Sequence, residues 1–314
     1  MVTPLRFSKI LICDRHGDAL VAYLTARRPD LVYRVRNGNT LTTADRAWGD
    51  ALIGFTVPVD LEGSSIRWVH STGAGVDRLL RQHRWPADVT LTRTTGELGD
   101  RMAEYCVGHA LGSSQRLLAF HRDQTKQRWA PVEPATLSGT TAVIVGTGSV
   151  GTAIASRFGA LGCVTIGVSR RGRPRPPFDR VHPVRDLAEV APSARWILVA
   201  APLTLETREL IGEPVLTRCR GAFLINVARG ELLDTAAFLA ALEAGTLVGA
   251  VLDVFDEEPL PADSPLWRAP EVLITPHIAG VTHLDEAGDA FLDALTALEA
   301  GARPTAAVDP ARGY

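Results

Sequence analysis

Three residues able to do acid–base and anion chemistry stand just past three apolar, strand-like segments: Arg229 after AFLINVA, Glu258 after VGAVLDVF and His277 after VLIT. In an open parallel α/β sheet the carboxyl ends of the strands border the ligand crevice, so three strands each delivering one such residue define a site. The chemistry they fit is reduction of a ketone. Hydride added to a carbonyl carbon leaves charge on oxygen, and a histidine that carries a proton near neutral pH can quench it. A carboxylate bonded to the imidazole favours its charged form and fixes which nitrogen faces the substrate, which is the part Glu258 can play, the two titrating as one unit. The Arg229 fork can hold a carboxylate with two parallel bonds while its charge polarises the adjacent carbonyl; lysine, a point charge, would do this less well. Taken singly, each is an ordinary loop or core residue, and their shared position is what gives them meaning.

A hydride needs a source. The segment TAVIV runs directly into Gly146-Thr147-Gly148-Ser149-Val150-Gly151 and then into a helical stretch. This is the G-x-G-x-x-G pattern in the strand–turn–helix setting that a dinucleotide requires. The first two glycines permit a tight turn and close approach of backbone to a pyrophosphate, Gly151 lets helix and strand pack closely, and the helix N-terminus supplies amides and a favourable dipole. The next strand, VTIGVS, ends at Ser169, where an NAD-binding chain places an acid on the ribose hydroxyls. Arg170 and Arg171 follow instead, and guanidinium forks there suit a 2′-phosphate. NADP(H) is therefore the favoured cofactor, with NAD(H) as the alternative.

The elements that must position these residues read as two α/β domains. SKILIC, DALIGF, SIRWVH and VTLTRT, with a helix at Asp18–Arg28, give the rhythm of a first parallel sheet. A proline-free helical pattern from Met102 to Trp129 then predicts one long helix. TAVIV, VTIGVS, WILVA, AFLINVA, VGAVLDVF and VLITPH, separated by helices, predict a second, doubly wound sheet. A last helix from about His283 to Ala300 is expected to return to the first domain, with a few residues after His277 forming a hinge strand. The expectation is thus two Rossmann-like domains with doubly wound parallel sheets flanking a cleft. The substrate domain is residues 1–101 completed by 283–314, and the dinucleotide-binding domain is 102–282.

The bulk composition narrows the function classes. Thirty-three basic against 35 acidic residues, net −2, is too balanced for a protein built on phosphate backbones or anionic lipid, so no nucleic-acid or membrane partner is expected. Cys13, Cys106, Cys163 and Cys219 are dispersed, without a CxxC pair or a neighbouring histidine cluster, so buried thiols and no metal site are expected. Neither a signal peptide nor a membrane-length apolar run is legible, and a cytoplasmic protein is expected.

The motifs NVARG (226–230), DVFDEEPLP (253–261), TPHIAG (275–280), STGAGVD (71–77), MAEY (102–105) and SPLW (264–267) occur in one order along nearly the whole chain. In this the sequence resembles the D-isomer-specific 2-hydroxyacid dehydrogenases, of the glyoxylate/hydroxypyruvate reductase kind. The resemblance implies that Arg229 is the substrate arginine, Glu258 orients the acid and His277 donates the proton, with the amides of Ala74 and Gly75 receiving the substrate carboxylate. It further implies that Gly146, Gly148, Ser149, Val150, Gly151, Pro202, Thr207, Val227, Ala228, Asp253 and Gly280 line the cofactor. It implies too that the helix after Met102 helps to pair two subunits in a homodimer. Glu258, in place of the amide found in similar formate dehydrogenases, favours acid–base work. Ser169, in place of the usual acid, departs from the NAD pattern and agrees with NADP. Phe55 and Trp267 are expected to shape the pocket beyond the reacting carbons. Two other readings stay open: a dinucleotide-sensing co-repressor with little turnover, and a phosphoglycerate dehydrogenase-like enzyme.

Overall fold

The computed structural model describes residues 5–36, 41–55, 61–82 and 85–313. Contacts divide the chain into two compact units, residues 1–98 with 281–314, and residues 99–280.

The first unit runs β1 (Lys9–Cys13), α1 (Gly17–Thr25), β2 (Val32–Val35), α2 (Thr43–Trp48), β3 (Ala51–Gly54), β4 (Trp68–Ser71), α3 (Asp77–Gln82) and β5 (Thr90–Arg93). Its sheet is parallel throughout, in the order β2-β1-β3-β4-β5. The central strands β1, β3 and β4 are buried almost throughout because both faces are covered. Ile10, Ile12, Ala51 and Ile53 look into one core while Leu11, Cys13, Leu52 and Val69 look into the other.

The second unit takes up α4 (Leu98–Ser114), α5 (Leu117–Thr125), β6 (Thr141–Val145), α6 (Ser149–Ala160), β7 (Val164–Ser169), β8 (Arg180–Pro183), α7 (Leu187–Val190), β9 (Trp196–Val199), α8 (Glu213–Leu216), β10 (Ala222–Asn226), α9 (Thr235–Glu243), β11 (Leu247–Leu252) and β12 (Val272–Ile274). Its seven parallel strands lie in the order β12-β11-β10-β9-β6-β7-β8. The order reverses between β6 and β9, the switch point at which doubly wound sheets open a crevice. Val143 and Val145 face one core, Ala142 and Ile144 the other. The chain then returns to the first unit through α10 (Leu284–Glu299), which lays Phe291, Ala294, Leu295 and Leu298 into the core beside Trp68. Phe291 stacks on Trp68 with ring centroids 4.6 Å apart.

The two parallel α/β sheets expected from the alternation are present. Three local expectations are corrected. The single helix from Met102 to Trp129 is two: Arg116 takes a left-handed conformation (φ 55°) just after Gly112, Ser113 and Ser114, poor helix formers in succession, and α5 ends at Thr125. No strand follows His277; residues 275–283 are irregular up to the start of α10. β2 and β8 were not foreseen, both being short edge strands, one of them closed by Pro183. Among the described residues no helix is long and apolar enough to cross a membrane, and no cluster of three metal-binding side chains occurs.

One buried polar chain ties β4 to β5. Trp68 Nε1 donates to Thr92 Oγ1 at 2.9 Å, and His70 Nδ1 lies 2.7 Å from the same hydroxyl. Thr94 Oγ1 gives its proton to the Ser71 carbonyl at 3.1 Å, so it accepts from His70 Nε2, 3.1 Å away, and the bare Nδ1 of a neutral ring accepts the Thr92 hydroxyl proton. Every member is satisfied by a neutral imidazole, and burial pushes the His70 pKa down from 6.5 to about 3. The unfolded chain therefore takes up a proton below about pH 6.5 that the folded chain refuses, so this contribution to stability is complete above that pH and declines as the pH falls toward 3. Urea unfolding between pH 7 and 4 should show the loss. In a His70→Gln chain the slope should be shallower by up to about 1.4 kcal/mol per pH unit; equal slopes would refute the assignment.

Candidate active site

The glycine-rich turn lies at the switch point. Gly146 closes β6 with φ 108°, and a Cβ there would sit 2.6 Å from the Ala200 carbonyl oxygen after β9. A Cβ on Gly151 would fall 1.9 Å from the Gly146 carbonyl oxygen, so this helix and strand meet only through glycine. Gly148 is different. A side chain there would meet nothing within 4 Å, and as N-cap of α6 it offers no side-chain acceptor, which leaves the first amides of the helix facing outward through Ser149 and Val150. An open backbone face at the end of a twelve-residue helix fits an anionic pyrophosphate.

β7 ends one strand further along. Ser169 Oγ accepts the Gly172 N–H at 3.2 Å, and Gly172 (φ 65°) is backed by Pro183, where a Cβ would lie 2.6 Å from the ring. This pinned turn carries Arg170 and Arg171, both exposed. After β9, Thr207 fixes the next loop by donating to the Pro202 carbonyl at 2.7 Å and accepting the Thr204 N–H at 2.8 Å. Val227 and Ala228 are buried behind β10.

Register sets the remaining groups. Asn226 pairs with Leu252 and Leu252 with Ile274, so β10, β11 and β12 end abreast. Arg229 follows the first, Glu258 the second and His277 the third. The imidazole and carboxylate meet, with His277 Nδ1 2.9 Å from Glu258 Oε2, while Glu258 Oε1 accepts the Phe255 N–H at 3.1 Å. A proton shared at Nδ1 leaves Nε2 as the nitrogen able to give or take another. Glu258 is largely enclosed and His277 is 43% exposed, the arrangement of an oriented acid with access to solute. Arg229 Nη1 donates to the Ala228 carbonyl at 2.6 Å.

Asp253 and Asn226 hold this edge together. The Asp253 carboxylate, 1% exposed, accepts from Thr275 Oγ1 at 2.5 Å, Ile278 N at 2.9 Å and Ala279 N at 2.8 Å, and its carbonyl accepts the His277 N–H at 2.9 Å. Because Thr275 gives its proton to Asp253, Tyr105 Oη, 2.6 Å from that hydroxyl, must be the donor between them. These bonds secure His277 in a left-handed conformation (φ 54°), which a non-glycine residue keeps only when its surroundings insist. The carboxylate is thus turned into its own loop, which continues to Gly280. Asn226 likewise fastens its turn, accepting the Ala228 N–H at 3.1 Å and donating to the Arg229 carbonyl at 2.9 Å. Gly230 brings that turn against the segment leading to Glu258, its Cβ position lying 2.1 Å from the Phe255 carbonyl carbon. Sequence reasoning missed Asn226, Tyr105 and Thr275; the signal was polar side chains inside otherwise apolar segments.

In the first unit the loop after β4 carries Ala74 and Gly75, both half-buried, and neither amide has an acceptor among the described residues. Ser71 Oγ accepts the Gly73 N–H at 3.3 Å, and the Phe55 ring occupies the space a Cβ on Gly73 would need, 2.6 Å away. Trp267, in the second unit, is half exposed, with its indole N–H on the Pro261 carbonyl at 2.8 Å.

The family described as D-isomer specific 2-hydroxyacid dehydrogenase, NAD binding domain, matches residues 107–279. An uncharacterised protein of Streptomyces coelicolor is 38% identical over 265 residues, 84% of this chain and 95% of its own length. The glyoxylate/hydroxypyruvate reductase A of Citrobacter koseri is 35% identical over 279 residues, 86% of this chain and 89% of that protein. Among solved structures, a D-isomer specific 2-hydroxyacid dehydrogenase from Xanthobacter autotrophicus, crystallised with NADPH and MES, superposes with a TM-score of 0.89 at 31% identity, covering 98% of this chain and all of that one (100%).

Replacing Asp253 by Asn puts an amide N–H₂ against buried donors and leaves at least one without an acceptor. We expect a loss of about 1–3 kcal/mol in unfolding free energy and release of the 277–279 loop. Hydrogen exchange at Ile278 and Ala279 reads the second effect directly, and unchanged protection there would show that Asp253 does not hold the loop.

Proposed function

Because this chain belongs to the D-isomer-specific 2-hydroxyacid dehydrogenase family, we propose that it reduces a small 2-oxo acid, glyoxylate or hydroxypyruvate, to the D-2-hydroxy acid with NADPH. The observation that carries the reading is the His277–Glu258 pair at 2.9 Å, an imidazole held by one nitrogen with the other available. The relationship to a glyoxylate/hydroxypyruvate reductase A and the likeness to a dehydrogenase crystallised with NADPH support the substrate class and the cofactor.

In this reading the residues 146–151 turn holds the pyrophosphate. Arg170 and Arg171 take the 2′-phosphate, and Pro202, Thr207, Val227, Ala228, Asp253 and Gly280 border the rest of the dinucleotide. The bound nicotinamide supplies a hydride to the carbonyl carbon. Glu258 keeps the Nδ1 proton of His277 in place, and Nε2 delivers its proton to the carbonyl oxygen as charge grows there. Arg229 binds the acid's carboxylate and stabilises the same charge, and the Ala74 and Gly75 amides add donors for that carboxylate. One hydride and one proton are consumed for each alcohol formed.

The chain also acts as a homodimer in this proposal. Leu117 and Leu118 on α5 are 59% and 53% exposed, and Leu111, Phe120 and Trp129 are exposed in the same stretch of chain, apolar side chains that a second copy would cover. A Leu117→Asp, Leu118→Asp chain should sediment as a monomer where the parent sediments as a dimer; identical sedimentation would dismiss this face as the contact.

Oxidation of NADPH and NADH with glyoxylate, hydroxypyruvate, pyruvate and bulkier 2-oxo acids tests the reaction. NADPH should be preferred, and His277→Ala should lower kcat by about 10²- to 10⁴-fold. The Arg170→Ser, Arg171→Ser chain should raise KM for NADPH by about tenfold or more and leave NADH unaffected. Tight NADPH binding without turnover of any acid would instead favour a dinucleotide sensor.

A further inference from the structure

Arg93 closes β5, yet among the described residues its cation has no carboxylate partner. Among the described residues its one hydrogen bond is from Nη1 to the Ala74 carbonyl at 3.1 Å, and no acidic side chain lies within ion-pair distance. Burial alone pushes its pKa below the ordinary arginine value, with no acidic neighbour opposing the shift. A desolvated, uncompensated guanidinium is costly unless something negative completes its surroundings.

The peptide it grips shows where that negative group belongs. The Ala74–Gly75 bond is trans, the cis bonds among the described residues being Pro176–Pro177 and Glu258–Pro259. In a planar trans peptide the C=O and N–H point in opposite directions. With the oxygen drawn to Arg93, the Gly75 N–H is aimed directly away from it, and that N–H has no acceptor in the described protein. A cation bound to the carbonyl also polarises the amide and makes its hydrogen a stronger donor.

We propose that Arg93 is a positioning residue for anion recognition: by holding the Ala74 carbonyl it aims and strengthens the Gly75 N–H for the carboxylate of a small 2-oxo acid. This rests on the carboxylate role given above to the Ala74 and Gly75 amides. It adds a specificity element from β5, namely that the acceptor must be an anion, since a neutral aldehyde or ketone would leave the Arg93 charge uncompensated.

Two variants and one non-reducible anion test it on the full-length protein. Arg93→Met removes the charge and the donor while keeping the bulk, and Arg93→Lys keeps a charged donor able to reach a carbonyl. In steady-state reduction Arg93→Met should raise KM for glyoxylate at least about tenfold with kcat changed less than about threefold, and Arg93→Lys should recover most of the loss. A KM within about twofold of the parent in Arg93→Met overturns the proposal, as does a loss of kcat with KM unchanged. Oxalate, a carboxylate with no ketone, separates this from failure of the reaction itself. It should raise the unfolding temperature of the parent and not of Arg93→Met, whether or not any 2-oxo acid is turned over. Equal shifts, or none in the parent, overturn it. Should Arg93→Met not fold, the Gly75 amide resonance of the parent decides: oxalate must move it, and an unmoved resonance ends the proposal.

Discussion

A parallel sheet cannot stand in water on either face, and that constraint organises this protein. Each β-strand must hand its chain back across the sheet before the next begins, so all strands of a sheet end at the same edge. The seven strands of the second unit therefore discharge the 146–151 turn, the Ser169–Gly172 turn and the residues 229, 258 and 277 along a single border. Burial of Val143 and Ile144 on opposite faces is thus causally prior to the meeting of His277 and Glu258.

That border is then made rigid by polar groups bonded to their own loops. The Asp253 carboxylate collects two amides and a hydroxyl, and Asn226 closes the turn that leads to Arg229. Each bond is of ordinary strength, but removing an acceptor from a buried donor costs more than making the bond gained. The loop that presents His277 therefore has few alternatives, which a left-handed residue at its centre requires. The buried chain from Trp68 through His70 to the Ser71 carbonyl does for the first unit's loop what Asp253 does for the second.

Much of this is written locally in the sequence. The central strands of the second unit read as continuous apolar runs, the glycine pattern follows its strand without a gap, and the arginines after Ser169 stand at a spacing that has a geometric meaning. What was not legible depends on distance along the chain. β2 and β8 are edge strands whose identity comes from the neighbour they pair with. The break at Arg116 interrupts a pattern that contains no proline, and the residues after His277 offer no β-rich run from which a hinge strand could form. Arg93 looks like any strand-terminal cation until the carbonyl of a residue nineteen positions away is seen in its grasp. Contacts between a side chain and a remote backbone atom leave no period and no motif.

The division of the first unit into two stretches also orders events during synthesis. Residues 99–280 form a continuous piece that can close its sheet once it has left the ribosome. Residues 5–98 emerge earlier but lack Phe291, Ala294, Leu295 and Leu298, which cover the face that includes Ile10, Ile53 and Trp68. The part made first is thus completed last, and for the time taken to add some two hundred residues its apolar face stays open to chaperones or to the same face on a neighbouring nascent chain. That core closes only once α10 has been made and laid against it.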